Sequence, residues 1–275
     1  MHGETLMSSP IKFQNPPVGE VAFSVSFQTP KPMSGAFIGI FWSQVRDKFP
    51  DLSEVSPIQA VIEGPSQGAT VTAIPLLQMV NIPPLRRAIL KSQDGRHIIQ
   101  LQQDRFILNW TRGKSTTYPD FETAFSEFES QLALLKKTLR AEGFGEADDN
   151  QYELLYVNLI GPENGLALVG EGGLLADHTR HSKGERFLPD PSGFNWTSTY
   201  PLPNEFGRLH ITAQAVLVPP DSKRHVRLDL VARGFPPTGG EASRRQWFQL
   251  AHEWIVEGFT DSTPAILHKE VWKRL

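Results

Sequence analysis

Cysteine is absent from all 275 residues. That excludes disulfides, thiolate nucleophiles and cysteine-ligated zinc, and it accords with a reducing compartment. Also missing is any apolar run near the ~20 residues a membrane helix needs. Prolines interrupt the stretch AIPLLQMVNIPPL (73–85). The first twenty residues lack the apolar core of a signal peptide, so the expected location is the cytoplasm. Nor is there an excess of positive charge: 27 Lys and Arg stand against 30 Asp and Glu, a net charge of −3. Basic residues gather only in short clusters (Arg86-Arg87, Lys136-Lys137 with Arg140, Arg244-Arg245), which are expected to be solvated surface. A nucleic-acid binder carries a basic face, so nucleic acid is not the expected partner. Finally, no serine-nucleophile motif, kinase signature or paired carboxylates at a catalytic spacing occur. Catalytic groups assembled by the fold rather than by sequence proximity would leave no such trace.

What is present is regular alternation. In NPPVGEVAFSVSF (15–27), Val21, Phe23, Val25 and Phe27 fall on one face and Ala22, Ser24 and Ser26 on the other, the period of a strand with one buried face. Asn15-Pro16-Pro17 favours extended geometry and marks the start of that strand. Phe37, Phe41, Val45 and Phe49 then repeat at helical spacing, with Ser34 as a cap and Pro50 as the stop. Residues 51–85 predict one short strand near Ala60–Glu63 within a long connection. RRAILKSQDGRHIIQL predicts a hairpin turning at Asp94-Gly95, followed by the strand DRFILNW. Phe121, Phe125, Phe128, Leu132, Leu135 and Leu139 form the stripe of a long helix, with Asp120 at its positive end and Gly143 past its close.

Residues 143–151 are the expected boundary. Strands follow in YELLYVNLI, FNWTSTY, RLHITAQAVLV and HVRLDLVARGF. A helix after PPTGGEA has Ser243 and Gln246 as a capping box, and a short terminal helix starts at Thr263-Pro264. The chain thus reads as α+β, in two pseudo-repeated halves, 1–143 and 144–275. Each half is a strand, an insertion, antiparallel strands and a helix. The expected architecture is curved antiparallel sheet, as two sheets or one, with helices on a single face. That order fits folds of the TATA-binding-protein, helix-grip or SecB kind.

NPPVGEVAFSVSF, FW…FP (41–50), DRFILNW (104–110), YPDF (118–121) and LAHEWIVEGFTDST (250–263) together resemble a sporadically distributed bacterial family of unknown function. Its members open on an NPPV-x-EV segment and carry an internal DRF-x-x-NW strand. The likeness spans nearly the whole chain and is strongest in the first half. The resemblance implies no reaction. Its patchy distribution is consistent with mobile, defence-linked or toxin–antitoxin-type genes, an association that carries no chemistry.

Four segments invite a functional reading. VGEGGLLADHTRHSKGE (169–185) has the glycines of a phosphate loop at the wrong spacing, and reads as a surface loop. Within it His178, His181 and Glu185 could gather on a metal, but a zinc site needs a further ligand and a second shell, and the spacing is not H-E-x-x-H. His252 adjoins Glu253 on a helix, but adjacent helical residues diverge. Arg105 and Asn109 share a strand face opposite Phe106, Leu108 and Trp110, outward or in a concavity, and Asn195-Trp196 echoes the pair Asn109-Trp110. The candidate ligand- or partner-binding residues are therefore Arg105, Asn109, His178, His181 and His252, with no catalytic set, metal or cofactor. The expectation is a non-enzymatic regulatory protein of the cytoplasm, antitoxin-like in kind, that binds another protein or a second copy of itself. The alternative is a small-ligand receptor or enzyme with its pocket between sheet and helices, around Arg105, Asn109 and residues 161–193.

Overall fold

The computed structural model describes residues 11–63, 71–72, 85–113, 119–175, 193–220, 222–235 and 240–275. The elements run β1 (Val18–Gln28), α1 (Gly35–Val45), β2 (Asp51–Val55), β3 (Val61–Ile62), β4 (Val71–Thr72), β5 (Arg87–Lys91), β6 (His97–Gln102), β7 (Arg105–Thr111), α2 (Phe121–Ala141) and β8 (Asp148–Ile160). There follow α3 (Leu166–Val169), β9 (Asn195–Pro201), β10 (Arg208–Val218), β11 (Lys223–Gly234), α4 (Gly240–Ser262) and α5 (Ala265–Glu270). The protein is α+β, as its sequence predicts. Nine strands form one antiparallel sheet in the order β2-β5-β6-β7-β1-β8-β11-β10-β9, and β3 and β4 make a separate pair. β1 and β8 meet at the middle, from Val18 opposite Asn158 to Gln28 opposite Asp148.

The alternation in β1 decides which face is core. Val21, Phe23, Val25 and Phe27 are buried. Phe23 packs on Phe121, Phe125 and Phe128 of α2 and on Phe248 of α4, with ring centroids 5.4–5.9 Å apart. The same face continues through Phe106, Leu108 and Trp110 of β7, Leu154 and Tyr156 of β8, Leu228 and Leu230 of β11, and Leu209 and Ile211 of β10.

Asp120 caps α2, its carboxylate accepting from the Thr123 amide at 2.9 Å. Asp120→Ala is expected to cost about 1 kcal/mol in urea unfolding, since an orphan amide loses its acceptor.

Several local expectations change. α4 begins at Gly240, so Ser243 and Gln246 lie inside the helix and form no capping box. Asp51–Val55 is a strand, fully exposed at the sheet edge. The basic clusters are not all solvated surface. Buried Arg244 reaches Asp149 at 3.2 Å, Lys136 meets the same carboxylate at 2.6 Å, and Arg245 ties α4 to Glu122 and Glu129 of α2. Among the described residues no helix is long and apolar enough to cross a membrane.

Candidate functional site

Strand pairing extends across the sheet a face that carries no helix among the described residues, the helix-free face. Opposite Phe106 and Leu108, β7 presents Arg105, Ile107 and Asn109. Its neighbours on that face are Gln100 and Gln102 of β6, Ser24 and Ser26 of β1, and Gln151 and Glu153 of β8. Beyond them stand Arg233 of β11 and Arg208 and His210 of β10. The middle of this polar face is buried, although α2 and α4 lie on the other side: Ser24, Gln102, Arg105, Asn109 and Gln151 are all under 9% exposed.

Part of the cover is the segment from Ser56 to Glu63, which crosses one end of the face. Gln102 holds it at Ile58, accepting from the amide at 2.9 Å and donating to the carbonyl at 3.1 Å. Gln151 repeats the arrangement further on, accepting from the Glu63 amide at 2.9 Å and donating to the Val61 carbonyl at 2.8 Å. Each glutamine side chain thus stands in for a strand partner.

The segment ends in a charge cluster. Glu63, 1% exposed, accepts from Arg208 at 2.6 Å and meets His210 at 2.9 Å, with Arg233 at 3.8 Å. Arg233 also donates to Glu153 at 2.5 Å. Burial pushes the Glu63 carboxyl up. The His210 hydrogen bond and the charges of His210, Arg208 and Arg233 outweigh it and hold the group below its ordinary value. His210 also meets the Thr199 hydroxyl at 3.2 Å, so hydroxyl, imidazole and carboxylate follow in the order used for nucleophilic catalysis. Here, however, the carboxylate is shared with two guanidiniums, which makes it an anchor for the crossing segment.

The predicted site residues separate. Asn109 is engaged within the sheet: Gln100 donates to it at 2.8 Å, it donates to Glu20 at 2.5 Å, and Arg87 donates to Gln100 at 2.8 Å. Arg105 is 6% exposed, and its side chain makes no hydrogen bond or ion pair among the described residues, with Nε fully enclosed. Both residues point away from the helices, so no pocket between sheet and helices is built around them. His178 and His181, with Glu185, lie outside the described residues.

His252 is on the helical side. It stacks on Phe121 at 4.3 Å and 10°, with Nδ1 3.0 Å from the Tyr156 hydroxyl. It is a packing residue, which argues against the ligand-binding role its place beside Glu253 suggested. Burial lowers it to about 4 from 6.5, so it folds neutral. The unfolded chain binds the proton first, and the contribution of this residue to stability is complete above 6.5 and declines as pH falls toward 4. Over that interval the urea midpoint of the wild type is expected to fall further than that of His252→Gln.

Sequence reasoning missed Glu63, Gln102 and Gln151. The signal available was a buried-strand pattern carrying glutamines, but their partners come from the 56–63 segment.

The sequence matches no protein-family model and none of the curated proteins. Among solved structures, DynU16, a protein of the dynemicin biosynthetic locus, aligns with 88% of this chain and 98% of its own at 11% identity, with a TM-score of 0.23.

Proposed function

We propose that this is a non-enzymatic binding protein whose binding surface is the helix-free face of the sheet, and that it holds a small molecule there. The observation that supports the reading is the burial of a polar row, Gln102, Arg105 and Gln151, beneath a chain segment rather than a helix. A purely structural sheet face of this kind is more economically solvated or apolar, because buried polar groups must each find a partner. Native mass spectrometry of the protein after incubation with host extract tests it. One small molecule per chain is expected, and it should be lost when Ser26, beside Arg105, becomes Phe. A folded wild type that retains nothing from the extract would overturn the proposal.

A protein partner is the second reading, favoured by the sheet edges. β2 is exposed at all its positions and β9 at alternate ones, and among the described residues each pairs on one side alone. Such edges accept an added strand from another chain. A regulatory role in the cytoplasm, expected from the sequence, belongs with this reading. A stoichiometric protein in the same extract experiment would favour it.

A further inference from the structure

Arg105 combines three properties that rarely occur together. It is a cation, it is more than nine-tenths buried, and among the described residues its side chain has no hydrogen-bonding partner. Buried guanidiniums are normally paired, because removing the charge from water is otherwise uncompensated. The side-chain acceptors on that face serve other donors. Gln102 and Gln151 turn their oxygens to the amides of Ile58 and Glu63. The Asn109 oxygen takes Gln100, and the Gln100 oxygen takes Arg87. The carboxylates of Glu63 and Glu153 serve Arg208, His210 and Arg233.

A second guanidinium is close by. Arg87, two strands from Arg105 on the same face, is half-buried with its own Nε enclosed and unpaired. Burial first, and then the charge of Arg105, lower its proton affinity. Two cations that disfavour one another, both short of acceptors, suit a group with several anionic oxygens.

We propose that Arg105, assisted by Arg87, binds the oxyanion of a small molecule, a carboxylate or a phosphate, on the helix-free face. This rests on the reading of that face as a binding surface and adds the charge of its ligand. Arg105 supplies a planar fork for bidentate contact, and Ser24 and Ser26 stand on the neighbouring strand as neutral flanks. The guanidinium lies beneath the 56–63 segment, which restricts the ligand to a small molecule or a thin chain end.

The test measures melting temperature for the full-length protein in sodium phosphate, sodium acetate and sodium chloride at matched ionic strength. Wild type, Arg105→Gln, Arg105→Lys and Arg87→Gln are compared. A saturable rise of several degrees is expected with at least one oxyanion over chloride, and which salt gives it separates phosphate from carboxylate. Arg105→Gln should abolish the rise. Arg105→Lys should retain a weaker one, and Arg87→Gln should raise the half-saturating concentration several-fold.

In chloride alone, Arg105→Gln should melt no lower than wild type, because it removes a largely buried guanidinium that has no acceptor among the described residues. A response equal to that in chloride, or a wild-type response in Arg105→Gln, would overturn the inference. So would a large loss of stability in Arg105→Gln without oxyanion, which would make Arg105 structural. A neutral small molecule recovered from the extract would leave the binding face standing and remove the anion site alone. Recovery of nothing would remove both.

Discussion

Gly207→Ala is expected to lower the unfolding free energy by at least about 3 kcal/mol, measured by urea denaturation. Gly207 has φ +126, in the region that favours glycine. A Cβ there would fall inside the van der Waals envelope of the Arg233 carbonyl oxygen and lie 2.5 Å from the Gly234 Cα. The obstruction is backbone on both sides, so no side chain can swing away. Gly234 is the reciprocal case: its Cβ would run into the Phe206 carbonyl, which accepts from the Trp247 indole of α4 at 2.8 Å. Gly234→Ala should therefore behave alike. A change under about 1 kcal/mol in both variants would mean that the β9–β10 turn can lift off β11 at little cost.

Glu63→Gln should be comparably severe, at about 3 kcal/mol, though its mechanism is electrostatic. The substitution keeps the shape and removes the charge that balances Arg208 and Arg233 and faces His210, all three largely shielded. It also predicts a pH dependence. The Glu63 carboxyl is depressed in the folded state below its ordinary 4.5, so its contribution is whole above 4.5 and is lost as acid carries the pH through the lower folded value. The wild type should show this acid limb and Glu63→Gln should not. The His252 limb lies higher, between 6.5 and about 4, so single variants separate the two. Hydrogen exchange at the Ile58 and Glu63 amides adds a local readout, since both amides donate to sheet glutamines and should exchange faster once the anchor is neutral. An unchanged urea midpoint at pH 7 would show that the two guanidiniums find compensation elsewhere.

The readable parts of this fold were those whose pattern is local. β1 alternates in sequence and β7 does so but for Ile107 on its polar face, α2 carries an unbroken phenylalanine and leucine stripe, and Asp94-Gly95 marks its own turn, where Gly95 has φ +68. β2 escaped notice because DLSEV is an edge strand with no buried side, and an edge leaves no hydrophobic signature. The start of α4 was misjudged because Ser243 offers capping chemistry inside a helix that already runs from Gly240. The site divided along the same line. The face of Arg105 followed from a period of two, whereas its isolation depends on where Gln102 and Gln151 spend their oxygens. Glu63 finds Arg208 across 145 positions of chain, a distance over which no local pattern extends. His252 was singled out by its neighbour in sequence, while its partners Phe121 and Tyr156 lie on other elements.

The central pairing of β1 with β8 has a cost during synthesis. β1 leaves the ribosome early with its apolar face patterned for burial, and β7 can satisfy one of its edges once residues 105–111 have emerged. Its other edge waits for residues 148–160. Throughout that interval the nascent chain carries a long, bare strand edge, the template on which unrelated chains add and aggregate. Release of a chain truncated near residue 143 would make that exposure permanent. Such a fragment should accumulate as insoluble material, and supplying residues 144–275 in trans should restore solubility by completing the sheet.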